Sequence, residues 1–151
     1  MALAAGDRAP LVALSDQNGE GRRSDQLAGK ALVLFFYPKD DTPGCTAEAC
    51  AFRDSYADLQ SLGAEVWGVS GDDQASHQRF ASRHDLPFPL LVDQGNGLRK
   101  AFGVPNVLGL LPGRVTYVID REGVIRHVFN NLLDGAAHRN EARAALQRLA
   151  L

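Results

Sequence analysis

An α/β fold is predicted by two features of the chain: apolar runs of strand length alternate with amphipathic stretches, and the first strong run, Ala31 to Tyr37 (ALVLFFY), is apolar without a break. A strand with one wet face would alternate apolar and polar residues, so this run is expected to be covered on both faces and to lie centrally. After it, Thr42 at the N-cap, Pro43 at the first helical position and Gly63 as a stop predict a helix over 43–62. AEVWGVS (64–70) reads as the next strand, DDQASHQRFASRHDL (72–86) as the next helix, and FPLLVD (88–93) as a short strand with Pro89 near its start. NGLRKAFG (96–103) reads as a short helix and VPNVLGLLPG (104–113) as an unusually apolar loop. RVTYVID and GVIRHVF flank Arg121-Glu122-Gly123, a hairpin whose Gly123 can take positive φ. The C-terminal GAAHRNEARAALQRLAL is an amphipathic helix, and Asn18-Gly19 signals a small N-terminal β-hairpin. The order βαβαβ with right-handed crossovers, then a hairpin, then a helix, describes a thioredoxin-like fold: a central mixed β-sheet flanked by helices, with an N-terminal β-hairpin extension.

At 151 residues and 45% hydrophobic content, the chain is expected to form one domain over 1–151. Lys+Arg 16 against Asp+Glu 18 gives a net charge of -2 without a basic run, so no nucleic-acid footprint and no polybasic membrane anchor is visible. The N-terminal MALAAGDRAPLVALSD lacks a basic region ahead of its apolar residues and meets Asp7 and Pro10 at once, which makes a poor signal peptide. The longest apolar run is far too short to cross a bilayer. A cytoplasmic protein with small-molecule or protein partners is expected. In that compartment a lone cysteine pair is more often redox-active or metal-binding than a structural disulfide.

The only two cysteines are Cys45 and Cys50. With Thr42 as cap, Cys45 is the third helical residue, beside unpaired N–H groups and the positive end of the helix dipole, a position that favours the thiolate. An ordinary thiol, titrating at about 8.5, is only a few per cent ionised at neutrality, and bringing it to about 6 takes roughly 3 kcal/mol of preference for the anion. A helix dipole supplies about 0.3–1 kcal/mol, and about 2 when partly buried, so a cation must join it. Arginine suits, since it stays charged and offers a fork of donors; none is local, so it must arrive from elsewhere in the chain.

Cys50 lies five residues further on, rotated by about 140° with its Cα roughly 8–9 Å away on an ideal helix. A disulfide needs a Cα separation below about 7 Å, so the two can bond only if the helix locally unwinds. Spacing leaves open a switch-like bond and a pair of buried helix thiols, Cys50 being next but one to Phe52. A metal site is the weaker reading. His77, His84, His127 and His138 show no ligand spacing, and each is expected on a solvated helix or strand face. C-x-x-C, a phosphate-cradling glycine loop and a paired-carboxylate site are all missing, so neither cofactor nor metal is expected.

The segment Pro38-Lys39-Asp40-Asp41-Thr42-Pro43-Gly44-Cys45 resembles the P-x-x-x-T-x-x-C motif of the peroxiredoxins. Its extended form, FFYPKDDTPGCTAEACAFRD, is similar to the bacterioferritin comigratory protein or peroxiredoxin Q subfamily, and the likeness runs from GDRAP and SDQNGE through VSGDD and LPFPLLVD to RVTYVIDREGVIRHVF. The resemblance implies a thiol peroxidase acting on hydrogen peroxide and organic hydroperoxides. Cys45 would be the nucleophile that becomes a sulfenic acid. Thr42 would hydrogen-bond thiolate and peroxide through its hydroxyl, Pro38 would shield the pocket from water, and Arg114 would be the missing cation. Glu48 would orient an arginine; read without the family it is an exposed helix residue. Cys50 would be the resolving thiol, closing an intrahelical disulfide that thioredoxin or a similar dithiol reduces. A monomer or weak homodimer is implied. Two alternatives use the same sequence differently: a non-catalytic redox sensor that passes oxidation to a partner protein, and a chaperone-like oligomer. The apolar loop departs from the charged version of this subfamily, and Val107, Leu108, Leu110 and Leu111 are expected to wall the peroxide pocket or a dimer contact.

Overall fold

The computed structural model describes residues 2–107 and 111–149. The N-terminal ribbon pairs β1 (Ala13–Ser15) with β2 (Gly21–Arg23) across a loop held by Asp16, whose Oδ1 accepts the N–H groups of Asn18 and Glu20. Gly19 supplies the positive φ (+78°) that the Asn-Gly pair signalled.

The central strand is β3 (Ala31–Phe36), buried at every residue as its apolar run demands. Its alternate side chains feed two cores. Val33 and Phe35, with Tyr37 beyond them, pack with Phe52, Leu59, Phe80 and Leu146; Leu32, Leu34 and Phe36 pack with Trp67, Leu98, Phe102 and Tyr117 on the other face. The chain leaves β3 through residues 37–42 into α1 (Pro43–Asp54), then α2 (Tyr56–Ser61) and β4 (Ala64–Ser70). The helix expected over 43–62 is therefore two helices. Ser55 leaves the helical well at φ −108° and ψ 6°, and Arg139 donates to both its hydroxyl (3.0 Å) and the carbonyl of Ala51 (3.4 Å), a tertiary contact outside the local pattern.

Next come α3 (Gln74–Arg83), capped by Asp73 through the N–H of Ser76, and β5 (Leu90–Val92), each shorter than its expected span. After α4 (Gly97–Phe102) the loop expected over 104–113 contains a two-rung antiparallel pair, β6 (Asn106–Val107) with β7 (Leu111–Pro112). The hairpin β8 (Val115–Ile119) and β9 (Ile125–Asn130) turns at Gly123 (φ +84°), and α5 (Gly135–Leu149) closes the fold. The main sheet has the order β5-β4-β3-β8-β9, parallel among β3, β4 and β5 and antiparallel at β8 and β9: the mixed sheet of a thioredoxin-like fold. No helix among the described residues is long and apolar enough to cross a membrane.

The register places the chemistry. Phe36 pairs with Val115 and Val115 with Asn130, so the segments after β3, before β8 and after β9 emerge at one end of the sheet. Cys45 follows the first of these, Arg114 ends the second, and Leu132 lies on the third.

Candidate active site

Cys45 is the third residue of α1 and 1% exposed, as the Thr42-Pro43 start predicts. Thr42 sits at the N-cap with extended backbone, and its carbonyl accepts the N–H of Thr46 at 2.8 Å. Its hydroxyl, however, donates back to the carbonyl of Lys39 at 2.9 Å and makes no capping bond. A hydroxyl has one proton, so Thr42 closes the 39–42 loop here, and its implied donation to the sulfur of Cys45 is not made. Pro38 is half-buried at the start of that loop.

The cation is Arg114, 4% exposed, and each of its three guanidinium nitrogens is engaged. Nη2 lies 3.4 Å from Cys45 Sγ, Nη1 donates to Glu48 Oε1 at 2.6 Å, and Nε donates to the carbonyl of Leu132 at 2.9 Å. Three nitrogens bound to two segments, α1 and the loop after β9, fix the guanidinium more firmly than an ammonium could be fixed. Gly44 makes the approach possible, since a Cβ there would stand 2.9 Å from Arg114 Nη2. Burial works against the Arg114 charge, but the charges of Glu48 and Cys45 outweigh it and raise the guanidinium further.

Glu48 is fully buried, which corrects the exposed reading and matches an orienting role. Burial pushes its carboxyl up to about 8, the charge of Arg114 pulling the other way. Glu48 Oε2 has no hydrogen-bond partner and lies 3.5 Å from Nδ1 of His138. His138, on α5, is also fully buried: its Nε2 donates to the carbonyl of Asn131 (2.8 Å), which assigns Nδ1 as acceptor of the Thr116 hydroxyl (2.8 Å). Burial brings this imidazole down to about 4 against the bond to Asn131, with the Arg114 charge acting in the same direction as burial. At the start of α5, a Cβ on Gly135 would meet Gly44 O at 2.7 Å and Glu48 Cβ at 2.8 Å, so α5 lies directly on the first turns of α1.

A second buried histidine lies behind the 37–42 loop. Asp40 Oδ1 accepts the Tyr37 hydroxyl (2.6 Å), and Oδ2 accepts from Ser76 Oγ (2.9 Å) and His77 Nδ1 (2.7 Å). His77 Nε2 faces the carbonyl of Leu91 at 2.8 Å. With an acceptor on each ring nitrogen, the imidazole is doubly protonated. Burial would lower its pKa, but the hydrogen bond and charge of Asp40 prevail and raise it. His77 and His138 therefore overturn the expectation of solvated faces, while His84 and His127 are half-buried. The fold also gathers ligand atoms of Asp40, Asp72 and His77 within 4.8 Å, a grouping the spacing did not reveal. Asp72 Oδ2 accepts from Ser70 Oγ and the N–H of Asp40, and His77 has no lone pair left, so these atoms tie the loop to α3.

Sequence reasoning also missed Arg99, on α4 and 4% exposed, which donates from Nη1 to the carbonyl of Gly113 and from Nη2 to that of Tyr37, each at 2.7 Å. Its only local signal was a place between Leu98 and Phe102 on a short apolar helix. Cys50 is half-buried on α1, and both cysteines are free thiols. Of the apolar loop, Leu108 and Leu110 lie outside the described residues, as do the side chains of Val107 and Leu111.

The model of the AhpC/TSA family matches residues 5–128. The chloroplastic peroxiredoxin Q of Triticum aestivum is 50% identical over 141 residues, 93% of this chain and 65% of that protein, so the chain spans about two thirds of the length of such relatives. Among solved structures, peroxidoxin BcpB of Mycobacterium tuberculosis is 35% identical with a TM-score of 0.89, covering 97% of this chain and 98% of its own. The bacterioferritin comigratory protein of Xanthomonas campestris, solved in connection with its alkyl peroxide reduction activity, is 31% identical with a TM-score of 0.85 and covers 96% and 100%.

Proposed function

The chain belongs to the AhpC/TSA family, on its peroxiredoxin Q side, and from that premise we propose that it is a thiol peroxidase reducing hydrogen peroxide and organic hydroperoxides. The observation that carries the reading is a buried thiol on the first turn of a helix with an arginine Nη2 at 3.4 Å. The Cys45 thiolate attacks the terminal peroxide oxygen; an S–O bond forms, the O–O bond breaks, and the departing alkoxide takes up a proton to leave as alcohol or water. Sulfur is oxidised to sulfenic acid as the peroxide is reduced. Arg114 stabilises the charge as it passes from sulfur to the leaving oxygen. Thr42 Oγ1, whose proton is engaged by Lys39, offers lone pairs to the hydroperoxide O–H, and Pro38 limits water.

Cys50 then attacks the sulfenic sulfur, expelling water and forming a disulfide across residues 45–50 once α1 has unwound there. A dithiol reductant of the thioredoxin kind restores both thiols. Cys45→Ser should abolish turnover in a coupled assay with thioredoxin, its reductase and NADPH. Cys50→Ser should still consume one equivalent of peroxide and then stop. Full activity in Cys45→Ser would overturn the assignment, and failure of the unmodified protein to sustain NADPH consumption would favour a redox sensor.

A further inference from the structure

The ladder between β3 and β8 has its last rung at Phe36 and Val115, and beyond it no pairing between these strands joins the two segments. One carries Pro38 and Thr42 toward α1; the other comes from β7 through Gly113 to Arg114. No ladder hydrogen bond can hold them at the distance the pocket needs. Arg99 spans this gap: its two terminal nitrogens donate to the carbonyl immediately before Pro38 and the carbonyl immediately before Arg114. We propose that Arg99 is a positioning residue of the peroxidase site, a guanidinium clasp that fixes the pocket-lining loop relative to the arginine facing Cys45.

The surroundings fit a clasp better than a space-filling side chain. α4 is itself anchored, with the N–H groups of Leu98 and Arg99 both donating to the Asp93 carboxylate at 2.9 and 3.0 Å. The guanidinium lies over the ring of Phe36, its Cζ 5.7 Å from the centroid, in contact with the end of the central strand. Among the described residues no carboxylate pairs with it; its acceptors are peptide carbonyls. Burying a cation without a paired anion is costly, and an apolar residue of similar length would fill the volume without that cost. What only arginine provides is a planar fork with two donors aimed at two acceptors. Errors of about 1 Å in such positioning are enough to cost large factors in rate.

The inference rests on the peroxidase reading, and the test separates the two. In the full chain, the rate of Cys45 oxidation by hydrogen peroxide is compared with its alkylation by iodoacetamide, for the parent protein, Arg99→Lys and Arg99→Met. Peroxide reduction needs Pro38, Thr42 and Arg114 in register, whereas alkylation needs only an accessible thiolate. Both variants are expected to lose about tenfold or more in the peroxide rate while alkylation stays within about threefold, because one ammonium cannot serve both carbonyls. Arg99→Lys keeps the charge and chain length, so it carries the test if Arg99→Met fails to fold. A peroxide rate within about twofold of the parent in Arg99→Lys, or equal losses in both reactions, would overturn the clasp. A parent protein whose peroxide rate is no faster than a free thiol's would instead sink the peroxidase reading and the clasp with it.

Discussion

His77 and His138 are both fully buried, yet they hold opposite charge states. His77 faces a carboxylate on one nitrogen and a carbonyl on the other, and becomes an imidazolium. His138 faces a hydroxyl and a carbonyl, with Arg114 close enough to disfavour a second cation, and stays neutral. Equal desolvation is thus decided by partners. The two rings brace the reactive helix from different sides, His77 through the loop that precedes it and His138 through α5 and Glu48. A charged brace and a neutral brace respond to different perturbations.

The largest effect is expected from Asp40→Ala, which strands a buried imidazolium and frees the Tyr37 hydroxyl. Breaking such a pair costs about 3–5 kcal/mol, to be read from urea unfolding. The contribution of His77 is fully present below 6.5 and is lost as pH climbs through its raised folded value, so the deficit should shrink in alkali. A loss below about 1 kcal/mol at neutral pH would mean that His77 is not charged. The opposite sign belongs to His138. Between pH 6.5 and about 4 the unfolded chain binds a proton that the folded ring refuses, so its contribution is present above 6.5 and falls away with acidification. His138→Gln keeps a donor and an acceptor but cannot titrate, and the stability difference from the parent should change across this window by up to about 3 kcal/mol. A parallel pair of pH–stability curves would remove the contrast. The smallest effect is expected from Thr116→Val, which leaves His138 Nδ1 without its donor and should cost about 1 kcal/mol at neutral pH.

What the sequence disclosed was local or carried by family likeness. The unbroken apolar run of β3, the Thr42-Pro43 start and the placement of Cys45 three residues into α1 follow from neighbouring residues and were legible. Arg114 was legible only through resemblance, because its separation of 69 positions from Cys45 is closed by sheet register. The break at Ser55 was hidden, since a run that satisfies helix propensity from 43 to 62 gives no notice of an arginine arriving from α5. The pairing of β6 with β7 was hidden by its brevity. Arg99 passed unnoticed and the two histidines looked like surface residues because a polar side chain reveals its burial only when its partners, 14 and 62 residues away for Arg99, are known.

The break at Ser55 also bears on how fast the proposed cycle can run. It leaves α1 only 12 residues long, a length at which an isolated helix is marginal in water, so α1 owes its order to docking through Ala49, Phe52 and the close contact at Gly135. Helix–coil relaxation takes about 0.1–1 μs, whereas enzymes commonly turn over in about a millisecond to a second. Because docking holds α1, undocking on the microsecond-to-second scale of local unfolding, and not helix–coil relaxation, would set how often the segment bounded at Ser55 opens for disulfide closure, while Leu59 keeps α2 seated in the core.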